Sequence, residues 1–423
     1  MVDKNLFLYD LAIAAIMKNE GHYLKEWLDY HLLAGVDHFY IYDNDSTDNQ
    51  AEVARPYVEA GLVDYIPASG KIMQIPAYND AVKNFKFQCR YMAFIDVDEF
   101  IYPKTNRSLI EVIDEILSQD RNAAGLAINW QLFGSNGLEK ADYSEGVLER
   151  FTRRAPSDWI VPLIYEDFPY GGNAHVKTIA NPRAVNFFGN PHFACYLRGL
   201  YAVNENTAVV KRYSNCPITA EKIVVNHYFC KSREEFLLKQ SRNRADNGEK
   251  HDDKIFHEYD RNEVFDDGIL KYRDVRTENF SSETETEKIL RVTKALTDFI
   301  ASASAPGVSK NFFEHKLETA LTCCGLSAYF REKFPSNANY WKIFEQKALQ
   351  AILESLSSAT SFTEAEMFLR DLPNLLKVPY PAEAEAIREA ALNLLPTMID
   401  LSRLSTLWDA YAQFDYLRDI LKE

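Results

Sequence analysis

The stretch that most constrains the fold is an apolar run that ends in three acidic residues, YMAFIDVDEFIY at residues 91–102. Residues 91–95 predict a short strand buried on both faces, as in parallel sheets. Asp96 and Asp98 are two residues apart, so an extended backbone would place them on one face, with Glu99 on the opposite face as a structural anchor. Two neighbouring carboxylates raise each other's pKa unless they share a cation, and oxygen ligands suit Mg²⁺ or Mn²⁺. The apolar flanks favour a metal-binding turn over a solvated acidic turn.

Composition excludes several classes of protein. The 423 residues predict one large or two ordinary domains, and 47% hydrophobic with 13% aromatic content is ample for a core. The net charge of −15 argues against a protein that binds nucleic acid non-specifically. An acidic protein still binds a nucleotide when a metal ion neutralises the phosphates.

The sequence also predicts the compartment. Residues 1–17 lack the pattern of a signal peptide, and no apolar run approaches the roughly 20 residues that span a bilayer. The six cysteines show no CxxC spacing, which predicts reduced thiols without zinc or disulfides. We therefore expect a cytoplasmic protein that associates with the inner face of the membrane peripherally, if at all.

The first third of the chain alternates between strands and helices: strand 11–17, helix 23–33, strand 38–42, helix 50–60 and strand 62–66. This order implies right-handed parallel crossovers, and ligands of such sheets bind beyond the carboxyl ends of the strands. Asn19 and Glu20 follow the first strand and Asp43 follows the second. His31 lies on the apolar face of the first helix and is predicted to pack in the core.

The remainder divides into two parts. Residues 145–230 predict short strands and loops, with His227 at the end of a β-branched run, and Ser232 with Glu235 forms a capping-box pattern that opens a helix over 232–244. The later part predicts five helices, at residues 289–300, 312–334, 340–356, 382–395 and 401–421. We interpret this part as a scaffold that could also support homo-oligomerisation.

Eight short motifs occur in the order found in glycosyltransferase family 92. They are KNE at 18–20 with EW at 26–27, YDNDSTD at 42–48, Gln74 with YN at 78–79, DVDEF at 96–100, Trp130 with FGSNG at 133–137, ERF at 149–151, NHY at 226–228 with KS at 231–232 and EF at 235–236, and YDRNEV at 259–264. The chain resembles the bacterial relatives of this family and the allied family-2-like group.

The resemblance implies a fold and an activity. The fold would be α/β, a Rossmann-like GT-A nucleotide-diphospho-sugar transferase domain over residues 1–245. A closing segment and linker over 246–284 and an all-α domain over 285–423 would follow. The activity would be metal-dependent transfer of a hexose from a nucleotide sugar, first of all a UDP-sugar, to a glycan or glycolipid acceptor in surface polysaccharide biosynthesis, without a nucleic-acid partner.

The resemblance also implies site residues. Mn²⁺ or Mg²⁺ would be bound by Asp98 as direct ligand, by Asp96 and by a neutral His227. The nucleotide sugar would be bound by Asn19, Glu20, Asp43 and Asp96 at the strand ends and by Asn79 near the start of a helix predicted over residues 76–87.

The general base is left open. An inverting transferase needs a carboxylate within hydrogen-bond reach of the acceptor hydroxyl. Asp167 imitates the ED pair of other inverting enzymes, and Glu149 is a rival that could equally form an ion pair with Arg150. His192 is a further candidate.

Two other functions compete with glycosyl transfer. A catalytically decayed GT-A fold would act as a carbohydrate- or protein-binding module, and its binding would survive loss of both aspartates. A nucleotidyltransferase also uses paired carboxylates on such sheets, but the chain shows no basic glycine-rich triphosphate loop.

Overall fold

A computed structural model of the chain describes residues 2–162, 170–241, 248, 252–272, 283–303, 316–357 and 362–403. These residues form two compact units. The first comprises Tyr9–Tyr196 and Leu200–Glu283, and the second comprises Met1–Leu8, Leu197–Gly199 and Thr284–Glu423. The domain boundaries expected from the sequence stay a prediction.

The first unit is built on a mixed sheet that has ten strands among the described residues, in the order β14-β13-β6-β10-β4-β1-β2-β3, with β15 paired to β6 and β5 paired to β15. The strands of this unit are β1 (Tyr9–Met17), β2 (His38–Asp43), β3 (Val63–Pro67), β4 (Cys89–Phe94), β5 (Glu99–Pro103), β6 (Ala123–Leu132), β7 (Arg153–Arg154), β8 (Ile160–Pro162), β9 (Tyr170–Gly172), β10 (Val176–Ala180), β11 (Val185–Phe188), β12 (Ala194–Tyr196), β13 (Tyr201–Val203), β14 (Val209–Val210), β15 (Ile223–His227) and β16 (Val264–Phe265). Its helices are α1 (Gly21–Leu33), α2 (Gln50–Glu59), α3 (Gln74–Phe85), α4 (Leu109–Leu117), α5 (Val147–Arg150), α6 (Arg233–Gln240) and α7 (Asp253–Tyr259).

One half of the sheet is parallel, as the alternating pattern predicts. β1 lies between β2 and β4, and β3 follows β2, all in parallel. The strands are almost continuously apolar because helices cover both faces. Their carboxyl ends meet at one edge, where the residues after β1, β2 and β4 gather.

The other half brings His227 to the same place. β10 runs antiparallel between β4 and β6, and β15 pairs antiparallel with β5 and parallel with β6. In this register His227 lies opposite Glu99, and the backbone N–H of Tyr228 donates to the carbonyl of Asp98 at 2.8 Å. The strand end at residue 227 was predictable, but its partner strand was not.

The core around α1 explains why the acidic turn is held firmly. The indole N–H of Trp27 donates to the carbonyl of Glu99 at 2.8 Å, and Tyr30 donates to the carbonyl of Ile101 at 2.8 Å. His31 is fully buried, with Nδ1 2.8 Å from the carbonyl of Trp27 and Nε2 3.2 Å from the N–H of Ile101. Its predicted packing role is confirmed, and only the neutral ring satisfies both bonds.

The second unit is helical where it is described. Its helices are α8 (Glu285–Ala303), α9 (Lys316–Lys333), α10 (Ala338–Ser357), α11 (Phe362–Leu375) and α12 (Pro381–Arg403), with a short 3₁₀ helix at Lys4–Leu6. Glu345, which is fully buried, accepts hydrogen bonds from Arg331 at 3.0 Å and from Tyr380 at 2.8 Å. No described helix combines the length and apolar character that a membrane span requires.

Two predictions for the second unit are wrong. Helix α11 was not predicted, because Pro373 inside it interrupts the helical pattern. It also placed a break between residues 395 and 401, where α12 is continuous. Residues 404–421 of the last predicted helix lie outside the described part of the chain.

Candidate active site

The acidic residues after β4 form a turn rather than an extended strand end. The N–H of Glu99 donates to the carbonyl of Asp96 at 3.1 Å, and the N–H of Asp96 donates to the Glu99 carboxylate at 2.9 Å. The expectation that Asp96 and Asp98 share a face on an extended backbone is therefore wrong. The turn directs each carboxylate to a lysine of its own.

Asp96 belongs to a network around a buried lysine. The Lys177 ammonium lies 2.8 Å from Asp96 Oδ2 and 3.3 Å from Glu99 Oε2, and its side chain is 1% exposed. Gln74 donates to Asp96 Oδ1 at 2.7 Å and Tyr78 lies 3.4 Å from the same atom. Glu99 was expected to point away from Asp96, but both carboxylates face the same ammonium.

The charges of this network are set by burial and mutual attraction. Burial raises the pKa of Glu99 to about 8, and Lys177 only partly opposes it. Burial alone would lower the pKa of Lys177, but Asp96 and Glu99 outweigh it and hold that pKa well above its usual range. A buried ammonium thus fixes Asp96, and Glu99 anchors the turn through the Asp96 N–H.

Asp98 faces a different cation. Lys239, in the last turn of α6, lies 2.5 Å from Asp98 Oδ2, and His227 Nε2 lies 3.6 Å from Oδ1. Burial would raise the pKa of Asp98, but Lys239 and then His227 outweigh it and hold the pKa well below its usual range. Burial lowers the pKa of His227 despite Asp98. An ionised carboxylate therefore lies beside a neutral imidazole, which are the states that bind metal ions.

The structure brings three other predicted residues together at the ends of β1 and β2. The Asn19 amide oxygen accepts the N–H of Thr47 at 2.7 Å, which ties the end of β1 to the loop after β2. The N–H of Glu20 donates to Gln50 at 3.0 Å, and Gln50 donates to Asp43 at 3.2 Å. These contacts build a fixed polar edge beside the acidic turn.

The close approach at this edge favours a glycine. The N–H of Gly21, the first residue of α1, donates to Asp48 at 2.9 Å. A Cβ at this position would lie 2.2 Å from the Asn49 side-chain oxygen and 3.1 Å from the backbone nitrogen of Gln50. A side chain here would displace the Asn49 side chain from the end of β1.

Asn79 and Glu149 contact other parts of the first unit than the acidic turn, whereas His192 packs beside Trp130 near the turn. The Asn79 side chain binds the backbone of Phe188 in both directions, at 3.1 Å and 2.7 Å, so it fixes the end of β11. Glu149 lines a cleft beside α1 together with Glu26. Arg150 forms its bidentate ion pair with Glu235, at 2.9 Å for both bonds. Asp167 lies outside the described residues.

A cluster of one tryptophan and three histidines adjoins the turn, and the sequence analysis did not find it. The Trp130 ring lies 5.0 Å from His175, 5.1 Å from His192 and 4.3 Å from His227, measured between ring centroids. Burial lowers the pKa of all three histidines, that of His175 to about 3. Trp130 Nε1 and the Nδ1 atom of each histidine are buried without a hydrogen-bond partner among the described groups.

The lysines were also missed. Lys177 is a single charged residue inside an apolar strand, and this pattern predicts a buried ion pair. Lys231 is buried, with its ammonium 4.2 Å from the Tyr23 ring centroid. Burial lowers the pKa of Lys231, and Asp98 and Glu20 oppose the shift. Three lysines therefore surround the acidic turn.

The residues suit a hard divalent cation with few protein ligands. Within the described ranges, no three histidine, cysteine or acidic side chains are arranged to hold a metal ion. Asp98 and His227 nevertheless form a pair of the right chemistry, and Mg²⁺ is commonly held by one or two protein ligands together with substrate phosphates. Asp96 contacts Gln74 and Lys177, so its role as a metal ligand stays a prediction.

Comparison with known families shows which family the chain belongs to. The model of glycosyltransferase family 92 matches residues 13–263, which is more than half of the chain. The chain belongs to glycosyltransferase family 92. With the parallel strands β1–β4 and the helices α8–α12, this membership confirms the predicted fold class, a GT-A type α/β domain followed by an all-α region. The narrower assignment to bacterial relatives stays a prediction.

Plant members of the family are similar over short stretches. A family 92 protein of Ricinus communis is 28% identical over 148 residues, which are 34% of this chain and 26% of the relative. A galactan β-1,4-galactosyltransferase of Arabidopsis thaliana is 29% identical over 100 residues, 21% of this chain and 19% of the relative. The chain thus spans about a quarter or less of these relatives.

The solved structures that match the backbone of this chain are only distantly similar to it. Residues 1–349 of Staphylococcus aureus TarS in complex with UDP match with a TM-score of 0.31 and 11% identity, over 92% of each chain. HddC of Yersinia pseudotuberculosis matches with a TM-score of 0.25 and 12% identity, over 45% of this chain and 84% of its own. Neither match informs the site.

Proposed function

We propose that the protein is a metal-dependent glycosyltransferase that transfers a hexose from a UDP-sugar to a glycan or glycolipid acceptor in surface polysaccharide biosynthesis. The observation that carries the proposal is the acidic turn of a family 92 chain, gathered with the polar ends of β1 and β2 at one edge of the sheet. The six free cysteines suit a reducing compartment, so we propose the cytoplasm as its location.

The donor end of the reaction needs positive charge near the departing diphosphate. A Mn²⁺ or Mg²⁺ ion held by Asp98 and His227 would stabilise the negative charge of that leaving group as a Lewis acid. Lys231 and Lys239 add two ammonium groups on the same side of the turn. Asn19, after β1, and Asp43, at the end of β2, would orient the nucleotide. Asp96, whose side chain is fixed by its contacts, would bind on the ribose side of the nucleotide.

The cluster around Trp130 is the proposed place of the transferred sugar. An aromatic face packs against the apolar face of a pyranose ring. Neutral histidines both donate and accept hydrogen bonds, which suits sugar hydroxyls, and four buried nitrogens of this cluster have no partner among the described groups. Because an Arabidopsis relative is named a galactosyltransferase, UDP-galactose is the first donor to test. Glu149 and Asp167 remain the candidate bases.

The decisive experiment measures donor binding with and without metal. Calorimetric titration of UDP and UDP-galactose into the full chain should show binding that requires Mn²⁺, and UDP release should follow. Asp98→Asn should bind the donor weakly whether or not Mn²⁺ is present. Glu52→Gln, which changes an exposed carboxylate of α2, should bind the donor with the same Mn²⁺ dependence as the wild type. Absence of metal-dependent binding of any UDP-sugar would reject the proposal.

Variants of the two aspartates distinguish the transferase from the competing function, a binding module. A decayed fold would bind glycan or protein equally well after Asp96→Asn and Asp98→Asn, and it would release no UDP. A transferase would lose donor turnover in the same two variants.

A further inference from the structure

A cleft beside α1 has no role in the donor site described above. It encloses about 390 Å³ and is lined by one side of α1, by residues 143–150 and by residues 269, 270 and 272. The residues of the acidic turn and His227 do not line it. Its volume lies in the range of ligand pockets, which is roughly 300–1,000 Å³.

The rim of the cleft carries a preformed aromatic platform. His22 and Tyr143 are stacked, with ring centroids 4.0 Å apart and an angle of 11° between the ring planes. Both side chains are exposed, and Tyr143 is 42% exposed. Deeper in the cleft, Tyr30 and Tyr272 meet edge to face at 5.4 Å. Such rings offer flat apolar faces to a ligand that also carries polar groups.

The charges of the cleft exclude an anionic ligand. The two lysine and arginine side chains of its lining are already paired, Lys25 with Asp29 at 2.5 Å and Arg150 with Glu235 at 2.9 Å. Glu145 and Glu149 add negative charge to the lining. Carboxylates accept hydrogen bonds from hydroxyl groups, and together with aromatic faces they suit a neutral, hydroxyl-rich chain.

The walls of the cleft are held in place by one half-buried carboxylate, that of Glu26. Glu26 accepts the N–H of Val147 at 2.6 Å and that of Leu148 at 3.1 Å, so it joins α1 to α5 across the cleft. Burial raises the pKa of Glu26, although both backbone bonds oppose the shift. The cleft is therefore a fixed feature of the first unit, and a ligand meets walls that are already formed.

We propose that this cleft binds a neutral oligosaccharide, the growing acceptor chain. The link to an acceptor rests on the proposed transferase function, whereas glycan binding itself does not. The cleft adjoins the donor turn through Tyr23, which lines it and whose ring carries the ammonium of Lys231 at 4.2 Å. A chain seated in the cleft could thus extend towards Asp98.

The test measures glycan binding to the full chain without any nucleotide sugar. The probes are β-1,4-linked galacto- and gluco-oligosaccharides, as di-, tetra- and hexasaccharides, in calorimetric titrations. We expect the hexasaccharide of one series to bind, and Tyr143→Ala and His22→Ala each to weaken it about tenfold, since losing a stacking face costs on the order of 1 kcal/mol. Tyr143→Phe keeps the ring and should retain binding.

Phe187→Ala is the matched control, because Phe187 is 41% exposed on β11, away from the cleft. It should bind the hexasaccharide like the wild type, and melting temperatures verify that each variant is folded. If the wild type binds none of the probes, or if Tyr143→Ala and His22→Ala bind as tightly as the control, the proposal is overturned. If the wild type binds the hexasaccharide but no UDP-sugar, only the transferase function is rejected.

Discussion

The two aspartates of the acidic turn are neutralised in different ways. Asp96 contacts Lys177, whose side chain is 1% exposed and shared with Glu99, and it also accepts a hydrogen bond from Gln74. Asp98 contacts Lys239, whose side chain is 22% exposed at the end of α6. Asp96, which is itself 32% exposed, is therefore held by a buried ammonium, whereas Asp98 is 8% exposed and its cation is at the margin of the solvent.

This difference assigns different tasks to the two carboxylates. An ammonium that is buried between two acids cannot leave without exposing uncompensated charges to a low dielectric, which is very costly. The Lys239 ammonium is partly exposed, so it can leave when a divalent ion takes its place and keeps the charge of the buried Asp98 compensated. We infer that Asp96 shapes the turn and that Asp98 changes its cation when metal and donor arrive. Four measurements can break or sharpen this comparison.

The largest effect is expected from removing the buried lysine. Lys177→Met leaves Asp96 and Glu99 without their counter-charge, so the free energy of unfolding should fall by about 3–5 kcal/mol. Urea unfolding measures it, and Lys211→Met, at an exposed position, should change little. Adding Glu99→Gln to Lys177→Met should restore part of the loss. A loss as small as that of Lys239→Met would contradict the assigned difference.

The next effect concerns catalysis. Asp98→Asn should lower kcat/KM for Mn²⁺-dependent hydrolysis of UDP-galactose by about a hundredfold or more, as is typical for the loss of one electrostatic group at a reacting centre. Asp96→Asn should lower it less, because Gln74 and Tyr78 still hold the side chain. Steady-state kinetics of the two variants provide the test. Equal losses would show that both carboxylates act on the cation.

The scaffold behind Asp96 should weaken in acid. Burial lowers the pKa of His31 to about 3, below its unfolded value, so the unfolded chain binds a proton that the folded chain does not. The contribution of His31 to stability is therefore complete above about pH 6.5 and is lost between about pH 6.5 and pH 3, by up to about 1.4 kcal/mol for each pH unit. Urea unfolding at several pH values measures this slope.

The control for the acid effect is an exposed histidine. His31→Gln should reduce the slope by about one proton, because glutamine does not titrate. His257→Gln, at a position whose side chain is 73% exposed, is the matched control for a histidine-to-glutamine substitution. The same slope in wild type and His31→Gln would show that His31 is not the group that titrates.

The smallest effect is a gain. Lys239→Met removes the ammonium that competes for Asp98, so Mn²⁺ should bind about tenfold more tightly in the absence of nucleotide, a change of roughly 1.4 kcal/mol. The free Mn²⁺ signal in electron paramagnetic resonance measures it directly, and Lys254→Met, at an exposed position of α7, controls for net charge. Weaker metal binding in Lys239→Met would reject the exchange of cations.

Much of the fold could be predicted because its signals are local. The strands over residues 11–66 are continuous apolar runs separated by amphipathic helices, and both patterns follow from burial alone. β10 was not placed, because a five-residue strand does not reveal that it enters between β4 and β6. α11 was lost for a local reason, since Pro373 lies inside it.

The site was predictable only in part, for a reason of distance along the chain. Asp98 and His227 follow strands and belong to recognisable motifs. Their lysine partners do not, since Lys177 lies 81 residues from Asp96 and Lys239 lies 141 residues from Asp98. The rings around Trp130 come from three separate strands and loops. Contacts of this kind depend on the register of the sheet, which the sequence patterns do not contain.

Glu235 connects the lining of the cleft to the helix that carries Lys239. Its carboxylate accepts both bonds from Arg150 and one from Tyr23 at 2.9 Å, and it caps α6 through Ser232. Lys239 lies one helical turn further along α6. Arg150 lines the cleft and Lys239 contacts Asp98, so Glu235 links the two sites through one rigid set of hydrogen bonds. We therefore expect glycan affinity and Mn²⁺ affinity to depend on each other, which titration of one ligand in the presence of the other would measure.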